Sequence, residues 1–396
     1  MSLKFGTLGL LLAVSACGTS GGDGGGGGGG GGGQWKTITL PADHSDDEVT
    51  GIYYSSSSSG FVATVMGESS STGAVFSASA TSITGTAFDG NVSPSAGGLL
   101  GGLDFQGFVS TSSGGLVAIT NLGDLVSAPS GSSAFTDVKN GTSDLGGQVA
   151  GAYFGANVTV FAHDLGGFLK ATGAPGPTAN YMDIFDPTSI PTVPDPIPAD
   201  ECQDGIKVND SFASGLGAVA FSTDGNTIAY TTYSDADAFP EVCVSTDGGQ
   251  TFHPTEFTGK PQIIPGGVIF PKPSAPSTMI VYSGDLVEQD ANYVLRSVDG
   301  GATFSPVTLP SALAGTPLQL YGAFFLPDGQ NGWIVGYDSA ADAGLALVTT
   351  DGGQTWTQDA GVAAATSSAK LHSVFALDTT HVWIGGERGT FIANTP

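Results

Sequence analysis

From Gln34 onward the chain alternates short apolar runs with clusters of Gly, Pro, Asp and Ser. The runs are rich in Val, Ile, Phe and Tyr and are too short for helices, and no long capped helical pattern interrupts them. Such punctuation predicts an all-β chain of many short strands. In the C-terminal half the runs fall into four comparable units. Their first strands are expected at Ala218–Ser222, Gly267–Phe270, Gly322–Leu326 and His372–Leu377, and their second strands at Thr227–Tyr233, Thr278–Ser283, Gly332–Tyr337 and His381–Gly385. The N-terminal half gives three looser units. They are Ile52–Tyr54, Phe61–Met66 and Ala74–Ser79, then Phe105–Ser110, Leu116–Thr120 and Leu125–Ala128, then Val149–Phe154, Val158–Ala162 and Phe168–Ala171.

One turn recurs within this pattern. STDGGQTF begins at Ser245, SVDGGATF at Ser297 and TTDGGQTW at Thr349, so Asp247, Asp299 and Asp351 are spaced 52 and 52 residues apart. A fixed interval carried by a strand-rich unit is the mark of a repeat architecture. Asp-Gly-Gly suits a tight hairpin, because Gly248, Gly249, Gly300, Gly301, Gly352 and Gly353 can take positive φ at no steric cost. The Asp carboxylate can accept from the turn amides and the nearby hydroxyl. The closing Phe or Trp then starts the next strand facing the core.

The motif resembles the Asp box, or BNR repeat, of sialidase-like β-propellers. That resemblance implies boxes at the hairpin between third and fourth strands, structural in role and remote from the ligand site. Three early units and four later ones predict a single seven-bladed β-propeller of four-stranded blades, with six or eight left open by the weaker N-terminal pattern. The last unit has a third strand at Thr390–Asn394 and lacks a fourth. Gln34–Thr39 repeats the Gln-Thr-Trp-Thr of the preceding unit and is expected to fill that place, removing the exposed edges.

The first 33 residues stand outside this scheme. Met1–Ala16 has a cation, Lys4, an apolar stretch and small residues before Cys17, the layout of a secretory signal. Val14-Ser15-Ala16-Cys17 resembles the bacterial lipobox, which implies lipidation of Cys17. Residues 17–33 then form a Gly-rich tether and 34–396 the β-domain. The implied location is the cell envelope, as an outer-membrane lipoprotein facing the periplasm or the cell surface, held to the membrane by its lipid.

Charge narrows the partners. Ten basic residues stand against 36 acidic ones, a formal net charge of −26. Such a chain repels nucleic acid and favours basic partners or cations; a monomer is expected. With Cys17 lipidated, Cys202 and Cys243 remain as a possible disulfide in an oxidising compartment.

In propellers of this kind the ligand face is built by loops joining second to third strands and one blade to the next. Those loops are acidic here. They hold Asp235 and Asp237, Asp285, Glu288 and Asp290, Asp338 and Asp342, and Glu387. Asp43, Asp46, Asp47 and Glu48 precede the first blade, and a Pro-rich insert spans Asp186–Asp210. Converging carboxylates would attract Ca²⁺ or a basic partner, although no metal or cofactor is required by any motif.

Catalytic motifs are largely excluded. The sialidase resemblance implies a three-arginine clamp, and the chain has only Arg296 and Arg388; lysine does not replace bidentate carboxylate recognition. The histidines His44, His163, His253, His372 and His381 show no metal-ligand spacing, and no G-x-S-x-G elbow accompanies them. Paired carboxylates leave a glycoside hydrolase or lectin as the alternative, but the Asp-box glucan-cutting enzymes this repeat resembles use two facing propellers. The repeat also looks like that of non-enzymatic photosystem-stability assembly factors, which bind protein partners through a basic patch absent here. The expected role is therefore a non-catalytic binding or scaffolding module.

Overall fold

The structure is a computed structural model, described for residues 35–68, 70–90, 104–110, 115–120, 125–128, 132, 135–138, 149–154, 158–163, 168–172, 181–183, 202, 218–233, 239–249, 251–258, 260, 265–284, 293–313, 315–366 and 368–396. Cys17, Asp235, Asp237, Asp285, Glu288 and Asp290 lie outside the described residues, as does the insert apart from Cys202.

Among the described residues the strands form seven four-stranded antiparallel sheets. Sheet 1 is β2–β5, at Glu48–Ser56, Ser59–Val65, Ala74–Ser79 and Ser82–Asp89; sheet 2 is β6–β9, at Phe105–Ser110, Leu116–Thr120, Leu125–Ala128 and Thr136–Val138. Sheet 3 is β10–β13, at Val149–Phe154, Val158–His163, Phe168–Thr172 and Tyr181–Asp183. Sheet 4 is β14–β17, at Val219–Phe221, Ile228–Tyr233, Pro240–Ser245 and His253–Glu256; sheet 5 is β18–β21, at Pro265–Ile269, Met279–Ser283, Val294–Ser297 and Ser305–Pro306. Sheet 6 is β22–β25, at Leu318–Phe325, Gly332–Asp338, Ala343–Thr349 and Thr357–Gln358. Sheet 7 joins β26–β28, at Leu371–Asp378, His381–Gly386 and Phe391–Asn394, to β1 at Lys36–Thr37.

The partner of β28 is β1, with Lys36 opposite Ala393 and Thr37 opposite Ile392. The first strand of each sheet lies beside the first strand of the next, and β26 lies beside β2. A short helix, α1 (Ala360–Thr366), follows β25. Among the described residues no helix is long and apolar enough to cross a membrane.

Each strand pattern is explained by burial between sheets. Trp383 is fully buried in sheet 7, stacks on Tyr54 of sheet 1 at 3.8 Å, and donates its indole N–H to the Ala80 carbonyl at 2.9 Å. An aromatic of this size covers much apolar area while its N–H finds a partner. The Ser373 hydroxyl on β26 donates to the Val49 carbonyl at 2.9 Å, tying the same two sheets side chain to main chain. Trp333 is core as well, whereas Tyr337 is only partly buried and points its hydroxyl at Asp342.

The three Asp-Gly-Gly turns are near-identical. Ser245, Ser297 and Thr349 hydroxyls donate to Asp247, Asp299 and Asp351 at 2.8, 2.8 and 2.9 Å. The same hydroxyls accept from the amides of Gly249, Gly301 and Gly353. Thr251, Thr303 and Thr355 donate both amide and hydroxyl to the carboxylate. Both glycines of each turn have φ between 70° and 91°, the left-handed region that side chains disfavour. Phe252 and Trp356 then enter the core.

Each turn also grips its neighbour. The amides of Gly248, Gly300 and Gly352 donate to the carbonyls of Asn226, Ser277 and Gln330, all at 2.9 Å. Those carbonyls belong to hairpins between first and second strands, so both hairpin types share one end of the sheets. Asp224 caps such a first-to-second turn, accepting from Ser222 and Asn226.

Candidate functional site

Antiparallel alternation puts second-to-third loops and sheet-to-sheet connections at the opposite end. There the amide of Glu387 donates to the Lys370 carbonyl and that of Gly389 to the Asp47 carbonyl, each at 2.9 Å. The rim is thus stitched by main chain around sheets 6, 7 and 1.

Most described acids on this rim are occupied by donors of the protein itself, many of them from neighbouring loops. Asp47 is fully buried and accepts from His44 Nδ1 at 2.7 Å, Thr64 Oγ1 at 2.9 Å, the Gly67 amide at 2.9 Å and the Ser70 hydroxyl. Asp46 accepts from the Glu68 amide. Asp104 accepts from the amides of Met66 and Gly73, and burial nevertheless raises its carboxyl above the usual range. Asp338 is buried and accepts from the amides of Ala340 and Ala341. Asp342 accepts from Tyr337 and Ser368, which hold its carboxyl below the usual range. In each case the carboxylate replaces water for loop donors that would otherwise be unsatisfied.

Glu48 and Glu387 differ. They flank His372, with Glu48 Oε1 at 3.6 Å from Nδ1 and Glu387 Oε1 at 3.8 Å from Nε2. Both contacts are longer than a hydrogen bond. The imidazole is 6% exposed, and both its nitrogens are buried without a hydrogen bond. The ring leans on Tyr321 of β22 at 4.6 Å, and Lys370 Nζ lies 5.7 Å from the centroid of the same Tyr321 ring. Burial is the main reason the Glu48 carboxyl is pushed up, partly countered by His372. The imidazole beside Glu387, with Lys370 and Arg388, holds that carboxyl down. Sequence reading placed Glu48 and Glu387 in the rim but not His372 between them. The three come from the start of β2, the start of β26 and the end of β27, and no local spacing links them.

Arg296 is committed elsewhere, donating to the Gly352 carbonyl at 3.0 Å at the Asp-turn end. Arg388, at φ 56°, is the arginine left on the rim. Cys202 and Cys243 are joined, with Sγ–Sγ 2.14 Å, and the Tyr230 hydroxyl donates to the Cys202 carbonyl at 2.7 Å. Buried Glu241 lies beside this bond. Among the described residues these three make the one group of side chains close enough to share an ion, but sulfurs bonded to each other are not thiolate ligands. The described rim acids do not gather into a Ca²⁺ cage.

No family model and no curated protein sequence matches the chain. Solved structures do. YCF48 from Cyanidioschyzon merolae is similar at 14% identity and TM-score 0.59, over 92% of this chain and 99% of that one. A structure of YCF48 bound to D1 peptide is similar at 15% identity and TM-score 0.55, over 92% and 97%. A GH74 xyloglucanase from Xanthomonas campestris is similar at 12% identity and TM-score 0.57, over 91% of this chain but only 53% of the enzyme. Identities this low speak for shape alone, and the shape agrees with the radially arranged four-stranded sheets: the chain is a β-propeller.

Proposed function

We propose that the chain is an exported, lipid-tethered seven-bladed propeller of the Asp-box kind that works as a non-catalytic binding module. Its ligand face is the rim opposite the Asp turns. The pairing of β1 with β28 supports a ring closed by the N-terminal strand. In this reading residues 1–16 are the signal, Cys17 carries lipid, residues 17–33 are the tether, and the protein sits at the outer membrane.

The observation that carries the binding reading is the meeting of Glu48, His372 and Glu387 on that rim. Their open acceptors suit recognition. The alternative of a glycoside hydrolase is less well served, because the imidazole fills the space between the two carboxylates where a glycosidic bond would sit. A neighbour of this shape holds a peptide, so the fold is compatible with a peptide partner.

The test uses the full chain isolated from its own envelope, with mass spectrometry of the N-terminal peptide for lipid on Cys17. The same material serves for pull-down with and without EDTA, and for assay of reducing sugar on a glycan panel. A retained partner with no sugar release is expected. Sugar release without a partner would reverse the assignment.

A further inference from the structure

The rim acids can be separated by what they already hold. Asp47, Asp104, Asp338 and Asp342 each accept hydrogen bonds from donors of the rim loops. The carboxylates of Glu48 and Glu387 hold none among the described residues, and their side chains are 16% and 32% exposed over a His372 ring that is nearly inaccessible. The arrangement is a floor with two open walls.

The groups are also short of donors. An imidazole offers at most two N–H groups, one on each ring nitrogen. The Glu48 and Glu387 carboxylates bring four acceptor oxygens to face them. The neighbouring cations act on these carboxylates through space and make no hydrogen bond or ion pair to them among the described residues. Lys370 covers the Tyr321 ring, and Arg388 lies toward Asp342 and Tyr337 as well as Glu387. The ring nitrogens are buried, so the partly exposed carboxylate oxygens above them are the acceptors that an added N–H donor group reaches. A single metal ion does not answer the same need, because Nδ1 and Nε2 face different carboxylates and one ion cannot reach both through one ring.

We propose that the Glu48–His372–Glu387 seam between sheets 7 and 1 receives a cationic nitrogen group, the ammonium or guanidinium of a basic side chain on a partner protein. This rests on the binding-module reading and names the ligand chemistry for that face. A guanidinium or ammonium brings several N–H donors and a positive charge, matching both the local surplus of acceptors and the net charge of the chain.

The experiment titrates the full chain with a tri-lysine amide and a tri-arginine amide at fixed ionic strength, read by calorimetry. A tri-lysine amide with acetylated side chains is the control peptide. Glu48→Gln and Glu387→Gln are each expected to weaken binding about tenfold or more, with circular dichroism confirming the fold. Asp378→Asn removes the same charge at the Asp-turn end and is expected to leave binding within about twofold. Equal binding by the two Gln variants and the parent overturns the site, as does equal binding of the acetylated peptide. Equal weakening by Asp378→Asn reduces the effect to overall charge and also overturns it. If an envelope partner is retained by both Gln variants, the site fails while the binding-module reading stands. If magnesium or calcium chloride alone gives a saturating heat lost in Glu48→Gln, the ligand class is wrong.

Discussion

Two glycines in one turn allow backbone strain to be separated from packing. Gly300 and Gly301 both lie at positive φ, 74° and 91°. A Cβ on Gly300 would meet nothing within 4 Å, whereas on Gly301 it would lie 2.7 Å from Val244 Cγ2 and 3.1 Å from Met279 Sδ. Alanine at either position pays the left-handed penalty of about 1–2 kcal/mol, partly offset by about 0.4–1 kcal/mol from a stiffer unfolded chain. Alanine at 301 also overpacks a filled core, for about 1–3 kcal/mol more. Met279 can yield, being unbranched, but the Val244 methyl is held on a stiff β-branched centre. Gly300→Ala should therefore cost about 1 kcal/mol and Gly301→Ala about 2–4 kcal/mol. Urea unfolding followed by tryptophan fluorescence measures both, at equal m-value. Val244→Ala should restore part of the Gly301→Ala loss and none of the Gly300→Ala loss, as a double-mutant cycle reads. A Gly300→Ala cost equal to or above that of Gly301→Ala would refute the argument that the second glycine is required by contact between sheets 4 and 5.

The other expectations concern charge, redox state and the seam. Thr303 and Ser297 donors hold Asp299 down to about 2 from 3.8, so its stabilising effect is complete above about pH 4 and is lost as pH falls toward 2; Asp299→Asn should flatten stability across that window in acid titration. Glu48 is shifted up, so its ionisation opposes folding as pH rises through its folded value; Glu48→Gln should raise the melting temperature at neutral pH while lowering it little at pH 4. Reducing Cys202–Cys243, which closes a 41-residue separation, should cost about 4 kcal/mol by loop entropy, seen as a lower melting temperature with a phosphine reductant. Trp383→Ala should cost about 3–5 kcal/mol in the same unfolding assay, because the ring is fully buried against Tyr54.

The apolar runs carried much of the fold openly. Leu116–Thr120 and Leu125–Ala128 are the strands the pattern predicts, and Trp35 immediately precedes β1 as Trp356 immediately precedes β25. What escaped were fourth strands such as Ser82–Asp89, where half-exposed Ser, Thr and Gly blur the alternation. The first-to-second turns capped by Asp328 and Asp378 escaped too, since their amide partners are invisible in composition. The rim shows the same limit more sharply. Asp47 and Glu48 are adjacent acids in one loop, yet one is spent on four donors and the other faces His372 across the junction of two sheets. Only the meeting of distant strands distinguishes them.

The direction of β1 decides what the molecule shows to its surroundings. Antiparallel to β28, it runs from the end that carries the Asp turns toward the end that carries the rim. Trp35, just before it, is pinned there by its indole bond to Asp359 at 3.1 Å. Trp35 therefore sits at the Asp-turn end, on the face away from Glu48, His372 and Glu387. If the proposed tether holds the molecule, its pull acts on that face, and the seam is turned outward to whatever passes by.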